Sequence, residues 1–222
     1  MAPGRDRTGA PVNPANAPRP LANAPVPLLA DERCQMSFGE RAVLQGVLSE
    51  LKPRISIEIG SAQGGSLQWV ARHSESVHSI DLAAPVEILP NVTYHTGDSW
   101  RLLSELLDQP MPRKRGIDFA LVDGDHTPEG VCADLRSLLD SPACKQTVIL
   151  LHDTANPNVR EGIVTALYDH SAVVYHDLDF TRGYTFAEGP FTGQQWGGLG
   201  LVVTGDPTTD GYGQTPTQTL YR

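Results

Sequence analysis

The sequence of 222 residues carries a formal net charge of −9. A chain this acidic is a poor partner for nucleic acid or an anionic membrane, and we expect neither as its main partner. No run reaches the ~18 apolar residues of a membrane-spanning helix, and we find no apolar core of a secretory signal. The cysteines Cys34, Cys132 and Cys144 are odd in number and widely spaced. A zinc site or disulfide framework is therefore not expected, and a cytoplasmic setting is the simplest.

Composition divides the chain into three parts. Residues 1–30 are dominated by Pro, Ala and Asn, and such a segment buries too little apolar surface to offset the entropy lost on ordering. We therefore predict a flexible tail there, one folded domain over 31–205 and a loose polar tail over 206–222. In an alternative interpretation, the first segment is an arm over the active site or over a neighbouring subunit of a homo-oligomer.

The first predicted element is a helix that begins after Ser37. Ser37 and Glu40 match a capping box, apolar residues recur on one face of the following turns, and Pro53 ends the helix. A short β-branched strand, Ile55–Ile59, comes next and stops at Gly60.

A glycine-rich turn joins this strand to the next helix. Gly60, Gly64 and Gly65 leave it without bulky side chains, so a ligand could lie against bare backbone beside the first free N–H groups of the helix. The following strand ends with Asp81, an acid placed where it could accept hydrogen bonds from both hydroxyls of a ribose. This unit predicts a nucleoside-binding half of a doubly wound fold. In the alternative interpretation, the glycines only allow an ordinary βαβ unit to pack closely.

Strands and helices alternate through the remainder of the chain. The further predicted strands lie at 92–96, 117–123, 147–151, 172–175 and 198–203, and helices begin near Ser99, Pro128 and Pro157. The run at 147–151 is continuously apolar, as expected for a strand buried on both faces. The alternation predicts an α/β, doubly wound, mainly parallel seven-stranded sheet with helices on both faces.

Polar side chains follow two neighbouring strands of this predicted sheet. Asp123, Asp125 and His126 follow the fourth strand, and His152 and Asp153 follow the fifth. Both strand ends lie at the carboxyl edge, which also holds the glycine turn. Carboxylates with a neutral imidazole suit Mg²⁺, Mn²⁺ or a similar divalent ion that lowers the pKa of a substrate hydroxyl, and His126 is placed to take the proton. Alternatively, these side chains satisfy loop amides, cap the next helix or pack.

The motif Glu58-x-Gly-x-x-x-Gly-Gly-Ser66 resembles the first motif of class I S-adenosylmethionine-dependent methyltransferases. Segments 119–135 and 148–153 resemble a subgroup of that class which includes metal-dependent O-methyltransferases of antibiotic sugars. The resemblance covers about residues 37–204. It implies a Rossmann-like fold with an antiparallel last strand, and S-adenosylmethionine and a divalent metal as cofactors. The implied reaction is methyl transfer to a hydroxylated small molecule, such as a sugar unit of a natural product.

The resemblance also implies roles for individual residues. The implied cofactor-binding residues are Glu58, Gly60, Ser61, Gly64, Ser66, Asp81, Asp98, Ser99 and Asp123, the metal ligands are Asp123, His152 and Asp153, and the catalytic base is His126. Asp98, expected beside the adenine amine, could also cap the next helix. Two departures from the subgroup matter. His152 stands where the sugar enzymes carry an acid, so the site loses a negative charge, and Pro142-Ala-Cys-Lys-Gln-Thr replaces the usual Pro-Gly-Gly turn.

Two other functions compete with methyl transfer. A nicotinamide-dependent oxidoreductase would need the G-x-G-x-x-G pattern, which the turn after the first strand lacks. A non-catalytic module would keep the nucleoside pocket without turnover. Five aromatic residues precede the last strand, and they form either the wall of an acceptor pocket or a small aromatic core under a loop. They are Phe180, Tyr184, Phe186, Phe191 and Trp196.

Overall fold

The structure, a computed structural model, describes residues 33–108 and 116–206. The tails predicted at 1–30 and 206–222 lie outside these residues, except for Asp206. The elements in chain order are α1 (Phe38–Leu51), β1 (Ile55–Ile59), α2 (Gly65–His73), β2 (Ser76–Asp81), β3 (Val92–Thr96), α3 (Ser99–Leu107), β4 (Phe119–Val122), α4 (Pro128–Asp140), a 3₁₀ turn (Pro142–Cys144), β5 (Val148–His152), α5 (Pro157–Leu167), β6 (Val173–Asp177), β7 (Gly183–Thr185), β8 (Gln195–Gly197) and β9 (Leu199–Thr204). None of the described helices is long and apolar enough to cross a membrane.

Seven strands form one sheet in the order β3-β2-β1-β4-β5-β9-β6. Neighbours from β3 to β5 are parallel, and β9 is antiparallel to both β5 and β6. The predicted doubly wound sheet with an antiparallel last strand is confirmed. The strand order reverses between β1 and β4, because β2 and β3 are added on one side of β1 before the chain returns to the other. Ligands of such sheets bind outside the carboxyl ends of the strands at this reversal.

Helices cover both faces of the sheet. α3, α4 and α5 pack side by side, and their apolar residues join alternate strand positions such as Ile57 and Ile149 in one buried cluster. The intervening strand positions, such as Phe119 and Leu121, are also buried, on the face where α1 packs against α2. Because both faces are covered, β4 and the first four residues of β5 are apolar runs, whereas β1 alternates isoleucine with the buried polar residues Ser56 and Glu58.

Capping residues fix where the chain leaves the strand ends. The predicted capping box is present at α1: the Ser37 hydroxyl accepts from the Glu40 amide, and the Glu40 carboxylate accepts from the Ser37 amide. Thr127 and Asn156 cap α4 and α5 through their side-chain oxygens, and each of these helices begins with a proline. The loops after β4 and β5 are therefore short and end at fixed positions.

A two-stranded antiparallel hairpin of β7 and β8 lies apart from the seven-stranded sheet, and the sequence analysis did not predict it. Each strand has only three residues, and three of the six residues are exposed. Neither an apolar run nor a regular alternation marks such short strands. The hairpin matters because its aromatic residues face the functional site.

Candidate active site

Two glycines of the predicted turn allow segments of the chain to meet at the reversal of the sheet. Gly60 has a φ of +83°, and a Cβ there would collide with the backbone of Asp123 in the loop after β4. A Cβ on Gly65 would collide with the backbone of Cys34. Close packing is therefore one role of these two glycines, and a ligand lying against the turn stays a prediction. Gly64, with a φ of +80°, has open space where a Cβ would lie, so its role is in the turn itself.

One cavity of about 600 Å³ opens over the carboxyl ends of β1, β2, β4 and β5, within the usual size range of small-molecule sites. It brings together the predicted base, the predicted metal ligands and most of the predicted cofactor residues. Those that line it are Gly60, Ser61, Ser66, Asp81, Asp98, Ser99, Asp123, His126, His152 and Asp153. Gly64 instead lines a smaller hollow next to the cavity, which shares Asp81 with it. The cavity therefore joins both halves of the predicted site.

Asp81 is held in place at the end of β2 by two loop amides. Its Oδ2 accepts from the Ala62 N–H at 2.8 Å, and its Oδ1 accepts from the Ala83 N–H at 2.8 Å. Each carboxylate oxygen can accept a further hydrogen bond. The carboxylate is therefore already oriented for a ligand with two neighbouring hydroxyls, such as a ribose.

Asp98 caps α3, since its Oδ1 accepts from the Trp100 N–H at 2.9 Å. Asp98 and Ser99 also line the cavity, with the exposed side chains of Leu82 and Trp100 at the same rim. The capping alternative for Asp98 is confirmed. Its contact with an adenine amine is compatible with the cap and stays a prediction.

Glu58 lies beneath the glycine turn and is fully buried. The Ser66 hydroxyl donates to Glu58 Oε1 at 2.6 Å. Burial raises the pKa of Glu58 to about 8, so its carboxyl is protonated at neutral pH. Ser66 lines the cavity and Glu58 does not, so Glu58 acts on the cavity through Ser66. Direct binding of the cofactor by Glu58 stays a prediction.

Two carboxylates and two imidazoles meet at the ends of β4 and β5. His126 Nε2 lies 3.0 Å from Asp153 Oδ2 and 3.8 Å from Asp123 Oδ1. His152 Nδ1 lies 3.0 Å from Asp123 Oδ1 and 3.4 Å from Asp153 Oδ2. The four side chains converge because β4 and β5 are adjacent and parallel, so their carboxyl ends lie side by side.

Charge interactions in this cluster favour protonated imidazoles and an ionised Asp153. The carboxylates of Asp123 and Asp153 raise the pKa of His126 to about 9. Burial opposes the charging of His152, but the negative charge of Asp123 outweighs it and raises the pKa of His152 well above its usual value. Burial also opposes ionisation of Asp153, but hydrogen bonds from His126 and His152 hold the pKa of Asp153 well below its usual range.

The raised pKa of His126 predicts a pH-dependent stability. Its folded-state pKa of about 9 exceeds the unfolded value of about 6.5, so the stabilisation is complete below about pH 6.5 and is lost as the pH rises through about 9. The His126 side chain is 38% exposed, and after allowing for solvent screening we expect about 1 kcal/mol. Chemical denaturation of chelator-treated wild type and His126→Asn measures it. The difference in unfolding free energy should shrink towards high pH, and a constant difference would contradict the prediction.

The same cluster fits a metal ion. One ligand atom each from Asp123, His152 and Asp153 lie within 4.8 Å of one another. Two carboxylate oxygens and one imidazole nitrogen suit Mn²⁺ or a similar borderline divalent ion, and Mg²⁺ with added water ligands. Because a ligating imidazole nitrogen must be unprotonated, an ion at this position would take over the positive charge of His152.

Glu40, which the sequence analysis assigned only to the helix cap, also belongs to this cluster. It is fully buried, and its Oε1 lies 3.6 Å from His152 Nε2. A signal was present in the sequence. Glu40 precedes Leu44 and Leu48 at helical spacing, so an acid occupies the apolar face of α1, and all three residues are fully buried. The capping motif accounts for Glu40 by itself and so conceals the significance of its position on that face.

The hairpin of β7 and β8 closes one side of the cavity with aromatic rings. Tyr184, Phe186, Phe191 and Trp196 line the cavity and contact one another in a chain. The Trp196 ring lies edge-on to His126, with ring centroids 5.3 Å apart. These four residues therefore form a wall of the cavity beside the predicted base, and the interpretation as a pocket wall is favoured over a small core under a loop.

Comparison with known proteins agrees with this architecture. Residues 57–154 match the model of a protein family described as a methyltransferase domain. The crystal structure of the O-methyltransferase from Bacillus cereus in complex with SAH has a TM-score of 0.55 at 16% identity, covering 78% of this chain and 84% of that chain. The O-methyltransferase TomG from Streptomyces achromogenes, involved in tomaymycin synthesis and solved with SAM, has a TM-score of 0.52 at 19% identity, covering 77% of this chain and 82% of that chain. No curated protein matches the chain.

The sheet order, with an antiparallel last strand and a cavity at its reversal, defines the class I methyltransferase fold. The family match runs from β1 through the loop after β5 and so spans the glycine turn, Asp81 and the acid–imidazole cluster. Residues 57–154 accordingly match a methyltransferase domain, and the chain has the fold of the class I S-adenosylmethionine-dependent methyltransferases.

Proposed function

We propose that the protein transfers the methyl group of S-adenosylmethionine to a hydroxyl of a small molecule, such as a sugar unit of a glycoside or a related natural product. The observation that carries this proposal is that one cavity joins Asp81 to the cluster around His126. A nucleoside cofactor and a hydroxylated acceptor would therefore meet in one space. The likeness to O-methyltransferases from Bacillus cereus and Streptomyces achromogenes supports the same chemistry.

In this proposal the residues at the ends of β1, β2 and β3 hold the cofactor. Asp81 accepts hydrogen bonds from the ribose hydroxyls. Gly65 and Ser66, the first residues of α2, line the cavity, where free helical N–H groups would attract a carboxylate such as that of the methionine part. Asp98 lies at the rim for the adenine amine. These contacts place the methyl group towards the ends of β4 and β5.

The chemical step needs an activated acceptor oxygen and little help for the leaving group. The oxygen attacks the methyl carbon, the carbon–sulfur bond breaks, and its electron pair returns to sulfur, which leaves as a neutral thioether. The acceptor proton passes to the imidazole of His126, and Nε2 of this ring lies 3.0 Å from Asp153 Oδ2. Asp153 thereby orients the imidazole and stabilises the imidazolium that forms. A divalent ion held by Asp123, His152 and Asp153 would lower the pKa of the hydroxyl.

The aromatic wall of the hairpin serves orientation and water exclusion. The Trp196 ring lies edge-on to His126, and Phe191 contacts Trp196, so a ring of the acceptor can stack there with its hydroxyl towards the base. A fixed orientation of the two reactants supplies part of the rate enhancement, because alignment of oxygen and methyl carbon limits this reaction.

The proposal is tested by incubating the protein with S-adenosylmethionine and a panel of hydroxylated acceptors, with and without EDTA. Mass spectrometry should show the gain of one methyl group on at least one acceptor. EDTA should abolish this turnover while the calorimetric affinity for S-adenosylmethionine stays nearly unchanged, because the ion serves the acceptor and not the nucleoside. Asp153→Asn should behave like the chelated enzyme.

Asp125→Asn is the matched control for Asp153→Asn, since both Asp125 oxygens accept from Thr127 at the start of α4. It should keep the ion and the turnover. Full activity in excess EDTA, with no divalent ion found by elemental analysis, would remove the metal from the proposal. Absence of S-adenosylmethionine binding would remove the proposal itself.

A further inference from the structure

We infer that Glu40 is a positioning residue of the acceptor half of the site, where it holds the base of the aromatic hairpin from the N-terminus of α1. The inference rests on the proposed function, because that function gives the hairpin its role as the acceptor wall. In the sequence, the capping box alone accounts for Glu40. In the structure Glu40 has a second role, the contact with Gly198, and this contact affects the position of residues beside the reacting groups.

Each oxygen of the Glu40 carboxylate accepts from a different part of the chain. Oε2 accepts from the Ser37 N–H at 2.5 Å, which completes the capping box. Oε1 accepts from the Gly198 N–H at 2.5 Å, across 158 positions of sequence. The side chain is fully buried. Hydrogen bonds to a desolvated carboxylate are among the strong ones in proteins, so this contact joins α1 firmly to the end of the hairpin.

The amide of the neighbouring residue, Gly197, also donates to a carboxylate. Its acceptor is Asp153 Oδ1, at 2.5 Å, in the predicted metal site. Gly197 and Gly198 both have positive φ, +71° and +85°, and form the bend between β8 and β9. Two consecutive amides of this bend are thus bound by two carboxylates, one from the predicted metal site and one from α1.

The position of the aromatic wall depends on this bend. Within the described part of the chain, β7 and β8 pair with each other and with no strand of the large sheet. Tyr184 and Phe191 remain 42% and 48% exposed, so burial in the protein core contributes little to their placement. Trp196, whose ring lies next to His126, directly precedes Gly197 in the sequence. A shift at the Glu40–Gly198 contact would therefore move the ring that faces the base.

Two variants separate the capping task from the positioning task. Glu40→Asp keeps an acid at the third helical position, which still satisfies the capping motif, but it is one methylene too short to reach Gly198 as well. Ser37→Ala removes the hydroxyl that caps the Glu40 amide and leaves the carboxylate intact. Hydrogen–deuterium exchange, read by mass spectrometry on the full chain, follows both regions without any need for substrate.

For Glu40→Asp we expect amide exchange at residues 195–199 to be about 10- to 100-fold faster than in wild type, as for loss of a hydrogen bond to a charged group. In Ser37→Ala, faster exchange should be confined to the first turn of α1. With a verified acceptor, Glu40→Asp should also lower kcat/KM for that acceptor by about tenfold or more and leave the affinity for S-adenosylmethionine within about twofold, since the cofactor contacts are elsewhere.

Unchanged exchange at 195–199 in Glu40→Asp would overturn the inference and leave Glu40 as a helix cap. If Glu40→Asp does not fold, Glu40→Gln gives the same test, because one of the two amides then meets an NH₂ donor instead of an acceptor. The exchange result is independent of turnover. If no acceptor is methylated but exchange at 195–199 is fast in Glu40→Asp, the result counts against the proposed function and not against the placement of Glu40.

Discussion

His126→Ala is expected to lower kcat by about 10²–10⁴-fold, the usual contribution of a positioned general base. A substrate hydroxyl is too weak an acid to ionise unaided at neutral pH, whereas the thioether leaves without assistance, so the loss falls on the proton acceptor. Affinity for S-adenosylmethionine and the content of divalent ion should stay close to wild type. Single-turnover kinetics with calorimetry and elemental analysis of the same preparations measure all three.

The dependence of kcat on pH tests the same role of His126 as a base. The imidazole acts as a base only when it is unprotonated, so kcat of the wild type should fall as the pH is lowered through the pKa of His126, which is about 9 in the ion-free protein. Ion binding to Asp123 and Asp153 would reduce their effect on His126 and move this fall to lower pH. Near-normal kcat in His126→Ala would assign the base to another residue, with His152 the next candidate because Asp125 is engaged by Thr127.

Asp81→Ala is expected to weaken the binding of S-adenosylmethionine by about 10²-fold or more, because each lost hydrogen bond from a ribose hydroxyl to a carboxylate is worth about 1.5–3 kcal/mol. The same change leaves the Ala62 and Ala83 amides without their acceptor, so the turn and the loop after β2 also lose their fixed positions. Calorimetry measures the affinity, and thermal unfolding measures the structural part.

Asp81→Asn separates the two contributions. An asparagine retains one oxygen acceptor for a loop amide but loses the charge and the second acceptor. Its thermal stability should lie closer to wild type than that of Asp81→Ala, while its affinity for the cofactor should still be strongly reduced. Wild-type affinity in both variants would place the ribose elsewhere.

The sequence predicts the large sheet because its strands are marked by physical contrasts. β4 and the first four residues of β5 are apolar runs, β1 carries an isoleucine at every second position, and each of the three strands is followed at once by a glycine or an acid. The small strands β7 and β8 lack this contrast. Each has only three residues, and the two strands pair only with each other among the described strands, so their residue types reflect the cavity that they line and not a sheet period.

The residues of the candidate site can be predicted from the sequence, whereas most of the contacts between them cannot. Asp81, His126 and Asp153 follow strands, and parallel topology alone brings strand ends to one edge. Which acid approaches which imidazole depends on rotamers and loop lengths, which no local pattern encodes. Glu40 shows the limit most clearly. Its partner Gly198 is 158 positions away, and a complete local explanation, the capping box, conceals the distant one.

The two glycines that meet other backbone segments restrict how the cofactor turn can change during evolution or in the laboratory. At Gly60 and Gly65 any side chain would collide with the main chain of Asp123 or Cys34, so neither position can drift. Gln63, between them, is exposed, whereas Ala62 and Gly64 adopt left-handed backbone that favours glycine and asparagine. A library aimed at altered cofactor analogues should therefore vary Gln63 and the exposed rim residue Leu82, and leave the glycine pair untouched.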